Sequence, residues 1–164
     1  MGKKKKKTEL AASGERLVCQ NRKAFHDYAI GERFEAGLML VGTEVKACRE
    51  GNAHLNEAFV QIIAGEAYLE HSYIGEYRQG NQFNHETSRS RKLLLHGREI
   101  EKLWIKIREK GFTVVPISLY FKNGRLKVEI ALAKGKDRED KRETLKARTA
   151  KREMDKVTRS LKRR

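Results

Sequence analysis

Asn123-Gly124 stands between Thr113 to Phe121 and Arg125 to Ala133. An Asn-Gly pair between two apolar runs is the strongest short hairpin signal a sequence carries, because both turn residues must take positive φ and these two tolerate it. The pair therefore commits the second half of the chain to two long antiparallel strands. A related signal, Ala64-Gly65-Glu66, joins Ala58 to Ile63 with Ala67 to Ile74. Arg16 to Gln20 and Phe25 to Ile30 read as short extended pieces. Phe34 to Ala47 is a longer apolar stretch, and its Gly37 and Gly42 suggest bulges or tight bends.

Helical periodicity is clear once. In Glu99 to Lys110 the residues Ile100, Leu103, Trp104 and Ile107 share one face, and Gly111 follows as a terminator. Glu76 to Ser90 is polar and reads as a loop. Many short strands with one good helix predict a mainly β fold: an OB-like antiparallel β-barrel with flanking α-helices and a basic C-terminal tail, disordered when free. A mixed open sheet with a helix on one side is the alternative.

Charge divides the 164 residues further. Gly135 to Arg164 hold thirteen Lys or Arg against six Asp or Glu, and Lys3 to Lys7 add a basic run at the other end. Of the formal net charge of +15, only +4 falls between Glu15 and Lys134. The expected organisation is a disordered basic tail at 1–14, a barrel at 15–134 and a basic tail at 135–164. Such arms suit a polyanion, since each cation laid on a phosphate releases counterions; a solubilising tail is the plainer reading. Ala147, Ala150, Met154, Val157 and Leu161 form a narrow helical stripe, and acid-first pairs such as Asp155 with Arg159 support it. That stripe is too thin to offset a backbone ordering cost of about 1–2 kcal/mol per residue, so the helix is expected on a partner.

Catalytic and metal signatures are missing. His26-Asp27 looks like a base with its orienter, but neighbours on a strand point to opposite faces. No H-E-x-x-H, G-x-S-x-G or phosphate-loop sequence occurs, and His54, His71 and His85 lack a second ligand at metal spacing. Neither an enzyme nor a cofactor is expected. Cys19 and Cys48 lack paired spacing and read as buried or inert thiols. Thr8 to Gly14 has no apolar core of a leader and no run of eighteen apolar residues exists, which predicts a soluble cytoplasmic protein with no membrane partner.

One basic cluster lies inside the barrel region: Arg89, Arg91 and Lys92, near His85, His96 and Arg98. Alternation puts Arg89 and Arg91 on one face of an extended segment, which outlines a phosphate cradle; a solvated loop explains the charges equally well. Glu35, two residues before Gly37, is a surface acid able to accept from base amino groups or a ribose 2′-hydroxyl.

Asn21-Arg-Lys-Ala-Phe-His-Asp-Tyr28, Phe34-Glu-Ala-Gly37, Gly42-Thr-Glu-Val-Lys46, Arg89-Ser-Arg-Lys-Leu-Leu-Leu-His96, Leu119-Tyr-Phe-Lys122, Ala131-Leu-Ala-Lys-Gly-Lys136 and Asp140-Lys-Arg142 together resemble the small protein B family of tmRNA-binding (SsrA-binding) proteins. The resemblance runs from about Leu17 onward. It implies an oligonucleotide-binding barrel that holds the tRNA-like domain of tmRNA and escorts it to stalled ribosomes in trans-translation. The tail would become helical in the empty mRNA channel next to the decoding centre of the small subunit. Carried over by motif, His26, Glu35, Leu94 and His96 would face tmRNA, beside the cradle of Arg89, Arg91 and Lys92. Lys134, Gly135 and Lys136 would mark the exit towards the ribosome, and Asp140, Lys141 and Arg142 would serve ribosomal function. Alanyl-tRNA synthetase and elongation factor Tu are implied as indirect partners through tmRNA. Thr87 and Ser88 stand where the family carries an Asp-Pro-like turn, and Glu139 where an aromatic or His is common. A general OB-fold RNA-binding or ribosomal structural protein is the competing function.

Overall fold

In the computed structural model, which describes residues 15–161, Asn123 and Gly124 have φ of 51° and 75°, the left-handed pair a type I′ hairpin turn requires. The chain runs β1 (Arg16–Gln20), α1 (Arg22–Asp27), β2 (Tyr28–Leu38), α2 (Gly42–Arg49), β3 (Ala53–His54), β4 (Phe59–Ile63), β5 (Glu66–Glu70) and β6 (Tyr73–Ile74). A short 3-10 turn at Asn81–Phe83 leads to β7 (Arg91–Leu94), α3 (Gly97–Arg108), β8 (Phe112–Lys122), β9 (Arg125–Gly135) and α4 (Arg138–Leu161). The expected N-terminal tail and the last three residues lie outside the described residues.

Seven strands form one sheet in the order β1-β8-β9-β2-β7-β5-β4, every neighbouring pair antiparallel, and β3 pairs with β6 alone. Because β4 folds back against β8, the sheet curls around its core. The mainly β architecture with flanking helices is the one expected. Ala36, Leu69, Leu93, Leu119, Val128 and Ile130 fill the interior, with Ala47 and Cys48 from α2 and Leu103 from α3. A second cluster of Ala24, Val115, Ile117, Ala131 and Ala133 seats α1 on the other side of β8 and β9. That double coverage explains the unbroken apolar runs Val114-Val-Pro-Ile117 and Ile130-Ala-Leu-Ala133, since a strand buried on both faces loses polar alternation. Pro116 stands where the β8 register shifts against β9, a position that tolerates its missing N–H.

Two predicted elements differ. The stretch read as extended from Phe25 is helical up to Asp27, because Asn21 caps α1: its Oδ1 accepts the Ala24 N–H at 3.1 Å. The same side chain, itself buried, donates to the Leu55 carbonyl at 3.0 Å and the Pro116 carbonyl at 3.1 Å. Asn21→Ala is therefore expected to lose about 2–3 kcal/mol, a cap plus two buried carbonyls left unpaired, read as a lowered denaturant midpoint. Gly42 opens α2 instead of bending a strand; the Glu44 carboxylate accepts the Val41 N–H at 2.9 Å and satisfies the start of that helix.

Helix α3 begins two residues before the predicted start, since Glu99 accepts the His96 N–H at 2.9 Å and draws the helix back to Gly97. Leu103 is fully buried on it, whereas Trp104 keeps 44% of its surface exposed. Burial pushes the Cys19 thiol up to about 11 and the Cys48 thiol up to about 12. Neither forms much thiolate near neutral pH, as expected of inert thiols.

Candidate nucleic-acid interface

Arg89 and Arg91 do share a face, but it is the inner one. Arg91 is completely buried. Its Nε donates to Glu44 at 2.8 Å, and its two terminal nitrogens donate to the carbonyls of Ser72 at 2.7 Å, Arg89 at 3.0 Å and Thr87 at 2.9 Å, and to Ser72 Oγ at 2.9 Å. Arg89 meets the same carboxylate through Nε at 2.9 Å and Nη2 at 2.6 Å. Arg91 therefore touches no ligand, and the three-cation phosphate cradle is corrected. Burial alone would raise the Glu44 carboxyl, but Arg89, the Val41 N–H and Arg91 all donate to it and hold it below the ordinary carboxylate value. The work of these residues is to fasten the loop before β7 to α2. With Thr87 taken by Arg91, that loop is fixed without the Asp-Pro-like turn.

Lys92 and Leu94 alternate outward and reach the outer face of the sheet. Lys92 pairs with Glu66, which also accepts from the Tyr68 hydroxyl at 2.6 Å. Leu94 is 52% exposed and lies opposite Gly37 in the β2–β7 register. A Cβ on Gly37 would stand 3.2 Å from the Leu94 Cβ, so glycine lets the leucine lie flat against β2. Glu35 occupies the same face two residues earlier. It accepts from the Tyr120 hydroxyl at 2.6 Å and from Lys122 Nζ at 2.8 Å. These two donors hold its carboxyl below the usual range, and Lys122 in turn is held above its own. Next to them Lys127 lies opposite both Gly37 and Tyr120, and Arg33 pairs with Glu129 at 3.2 Å.

This outer face thus has an apolar spot, two phenols and near-balanced charge. His96 sits at its edge, exposed, at the N-cap of α3. Sequence reasoning missed Tyr120, Lys122 and Lys127 as neighbours of Glu35; the signal was their alternation on β8 and β9, unreadable until the register was known.

His26 belongs to a separate place. It lies in the last turn of α1, so its Nδ1 does meet Asp27 Oδ1, at 2.8 Å, where a strand would have turned the two apart. The exit of β9 is beside it: the Lys136 N–H donates to the Asp27 carbonyl at 3.0 Å, and its Nζ to the Phe25 carbonyl at 3.2 Å. Gly135 pairs with Tyr28, and Lys134 is exposed with its ammonium 6.0 Å from the Phe112 ring. Beyond, α4 runs as a helix over Arg138–Leu161. Its Leu145, Ala147 and Lys151 border a groove of about 530 Å³ with Gln20, Arg22, Phe25 and His26. Farther along, Met154 of the predicted stripe is 71% exposed. Asp140 and Arg142 are exposed on the first turns of α4, the helix that also carries Lys141. His85 bonds Thr43 Oγ1 and the Ile74 carbonyl, each at 2.9 Å, and His54 stacks on Tyr73 at 4.6 Å. Among the described residues no group of three His, Cys, Asp or Glu side chains could hold a metal, and no helix is long and apolar enough to cross a membrane.

The family model described as SmpB protein matches residues 18–160. An SsrA-binding protein of Geobacter sulfurreducens is 57% identical over 141 residues, spanning 86% of this chain and 92% of the relative. One from Desulforudis audaxviator is 53% identical over 150 residues, spanning 92% and 98%. A solved chain described as "tmRNA-SmpB: a journey to the center of the bacterial ribosome" superposes with a TM-score of 0.64 at 44% identity, covering 77% of this chain and 93% of its own. The match takes in the outer sheet face, the β9 exit and nearly all of α4, so the chain belongs to the SmpB protein family.

Proposed function

We propose that this chain is a non-enzymatic adaptor that binds the tRNA-like domain of tmRNA and delivers it to stalled ribosomes in trans-translation. The observation that carries this reading is the family match through residues 18–160, supported by SsrA-binding relatives above half identity. The outer face supplies the RNA contact through Glu35, Lys92, Leu94 and His96, and His26 adds one at the α1 end. Three cations there, Arg33, Lys92 and Lys122, are already paired with carboxylates. Counterion release from that face is therefore small, and recognition rests on shape, ribose hydroxyls and base edges.

Lys134, Gly135 and Lys136 fix the angle at which α4 leaves the barrel. The helix then follows the phosphate-lined mRNA channel of the small subunit, with Asp140, Lys141 and Arg142 in its first turns. An adaptor that grips the tRNA-like body leaves the acceptor end open to alanyl-tRNA synthetase and elongation factor Tu. All of this is cytoplasmic work.

Competitive binding of the full chain to its host's tRNA-like domain, against bulk tRNA and an unrelated hairpin at two salt concentrations, tests the reading. A preference of at least about 10³-fold, on the scale of specific over non-specific nucleic-acid binding, that persists at the higher salt is expected. Equal affinities that collapse together would leave only a general OB-fold RNA-binding or ribosomal protein.

A further inference from the structure

The loop between β6 and β7 is built more firmly than a connector needs. Asn84 accepts the Tyr77 N–H at 2.9 Å and donates to the carbonyls of Tyr77 at 3.0 Å and Asn81 at 3.2 Å. His85 ties its far side to Thr43 and Ile74, and Arg91 holds Thr87. On this fixed turn Phe83 has 78% of its surface exposed. It contributes little to the fold from there.

Beside it lies an open hollow of about 480 Å³, whose lining includes Asn52, Tyr73, Glu76, Arg78 and Asn81. Phe83 stands in the same turn as two lining residues, Asn81 and Asn84. Cations collect around it. Lys46 lies 5.2 Å from the Tyr77 ring centre, and Arg16 donates to the Arg49 carbonyl at 2.7 Å. Among the described residues Arg16, Lys46, Arg49 and Arg78 make no ion pair, nor do the exposed acids of this end, Glu50, Glu76 and Glu86. A peptide groove would be apolar; amides, a carboxylate and a guanidinium beside a fixed aromatic suit the edge and face of a nucleobase.

We propose that this hollow receives one unpaired nucleotide of the RNA held by the sheet face. The base stacks on Phe83 and offers its polar edge to Asn52, Glu76 and Asn81, while the flanking phosphates meet Arg78 and Lys46. A paired base has both faces covered and its edge occupied, so duplex RNA does not enter. This site rests on the adaptor reading, and its test separates the two.

Phe83→Ala, Phe83→Leu, Phe83→Trp and Arg78→Gln are compared with the unaltered chain by equilibrium binding. The probes are the tRNA-like domain of the host's tmRNA, an unrelated hairpin, and a fully paired RNA duplex. Phe83→Ala and Phe83→Leu are expected to weaken the tRNA-like RNA about 5- to 100-fold, Phe83→Trp to retain affinity, and duplex binding to stay unchanged. Arg78→Gln is expected to lower the salt slope by about one. Unaltered binding by Phe83→Ala, or equal loss on the duplex, overturns the site. Should the unaltered chain show no preference for the tRNA-like RNA, the adaptor reading fails instead, and the Phe83 comparison on the loop of the hairpin still decides the site.

Discussion

Glu44→Gln is expected to lower stability by about 3–5 kcal/mol, the cost of leaving a buried charge without its partner. Domains of this size have roughly 5–15 kcal/mol in total, so a large part of the margin goes. The reason is local. Glu44 is fully buried and accepts from Arg89, Arg91 and the Val41 N–H. Without its charge, Arg91 remains buried among carbonyls and Ser72 alone. Denaturant titration should show a lower midpoint at unchanged slope. The paired change Glu44→Leu with Arg91→Met should recover part of the loss, since apolar replacement of a whole buried pair is often neutral; equal loss from single and double changes would show that charge pairing is not the cause.

Acid provides a second readout. A carboxyl depressed in the fold gives stability that is full above its unfolded value, near 4.5, and is lost as pH falls through the lower folded value. Glu44→Gln should therefore flatten the acid limb of stability below about pH 5. Whatever these variants do to folding, the salt slope of RNA binding by the folded protein should not move, because Arg91 reaches no phosphate.

Removing residues 140–164 is expected to leave affinity for the tRNA-like RNA within about threefold, since this RNA is held by the outer sheet face and not by the tail, and to abolish tagging on stalled ribosomes. The segment carries eleven Lys or Arg against four Asp or Glu, nearly half the net charge of the chain, but none of the groups that form the outer sheet face. The segment also exposes Met154. Its absence should also flatten the salt dependence of binding to ribosomes, whose rRNA phosphates meet those cations. Binding and tagging are measured on the same preparation. Lost affinity for the tRNA-like RNA would overturn the division of labour between barrel and tail.

The family motifs put His26, Glu35, Leu94 and His96 on one face; β2 and β7 bring Glu35 and Leu94 together with His96 at the edge, while His26 stands apart in the last turn of α1. Local rules failed where a neighbour outbid them. Phe25 to Asp27 has strand-like composition, yet Asn21 caps a helix there because its amide is held by Leu55 and Pro116, far away in the chain. Arg89 and Arg91 look like solvent-facing cations, and only the position of Glu44, 45 and 47 residues away, turns them inward. Trp104 has core periodicity but stays partly exposed beside Ile62 and Ala64. The hollow beside Phe83 left no mark at all, since its walls come from the turn after α2, from β6 and from a loop without periodicity.

From the sequence by itself came the hairpin turn at Asn123-Gly124, the α3 stripe, the split between a balanced body and basic ends, and the family motifs. Each of these depends on spacing within a few residues or on charge counted along the chain, which local sterics and composition control directly. The tertiary structure decided which face each alternating residue takes, which cations are consumed by buried acids, and what α4 leans on. Those outcomes depend on strand register and on desolvation by partners distant in sequence, where a single carboxylate such as Glu44 determines whether an arginine meets a phosphate or the core.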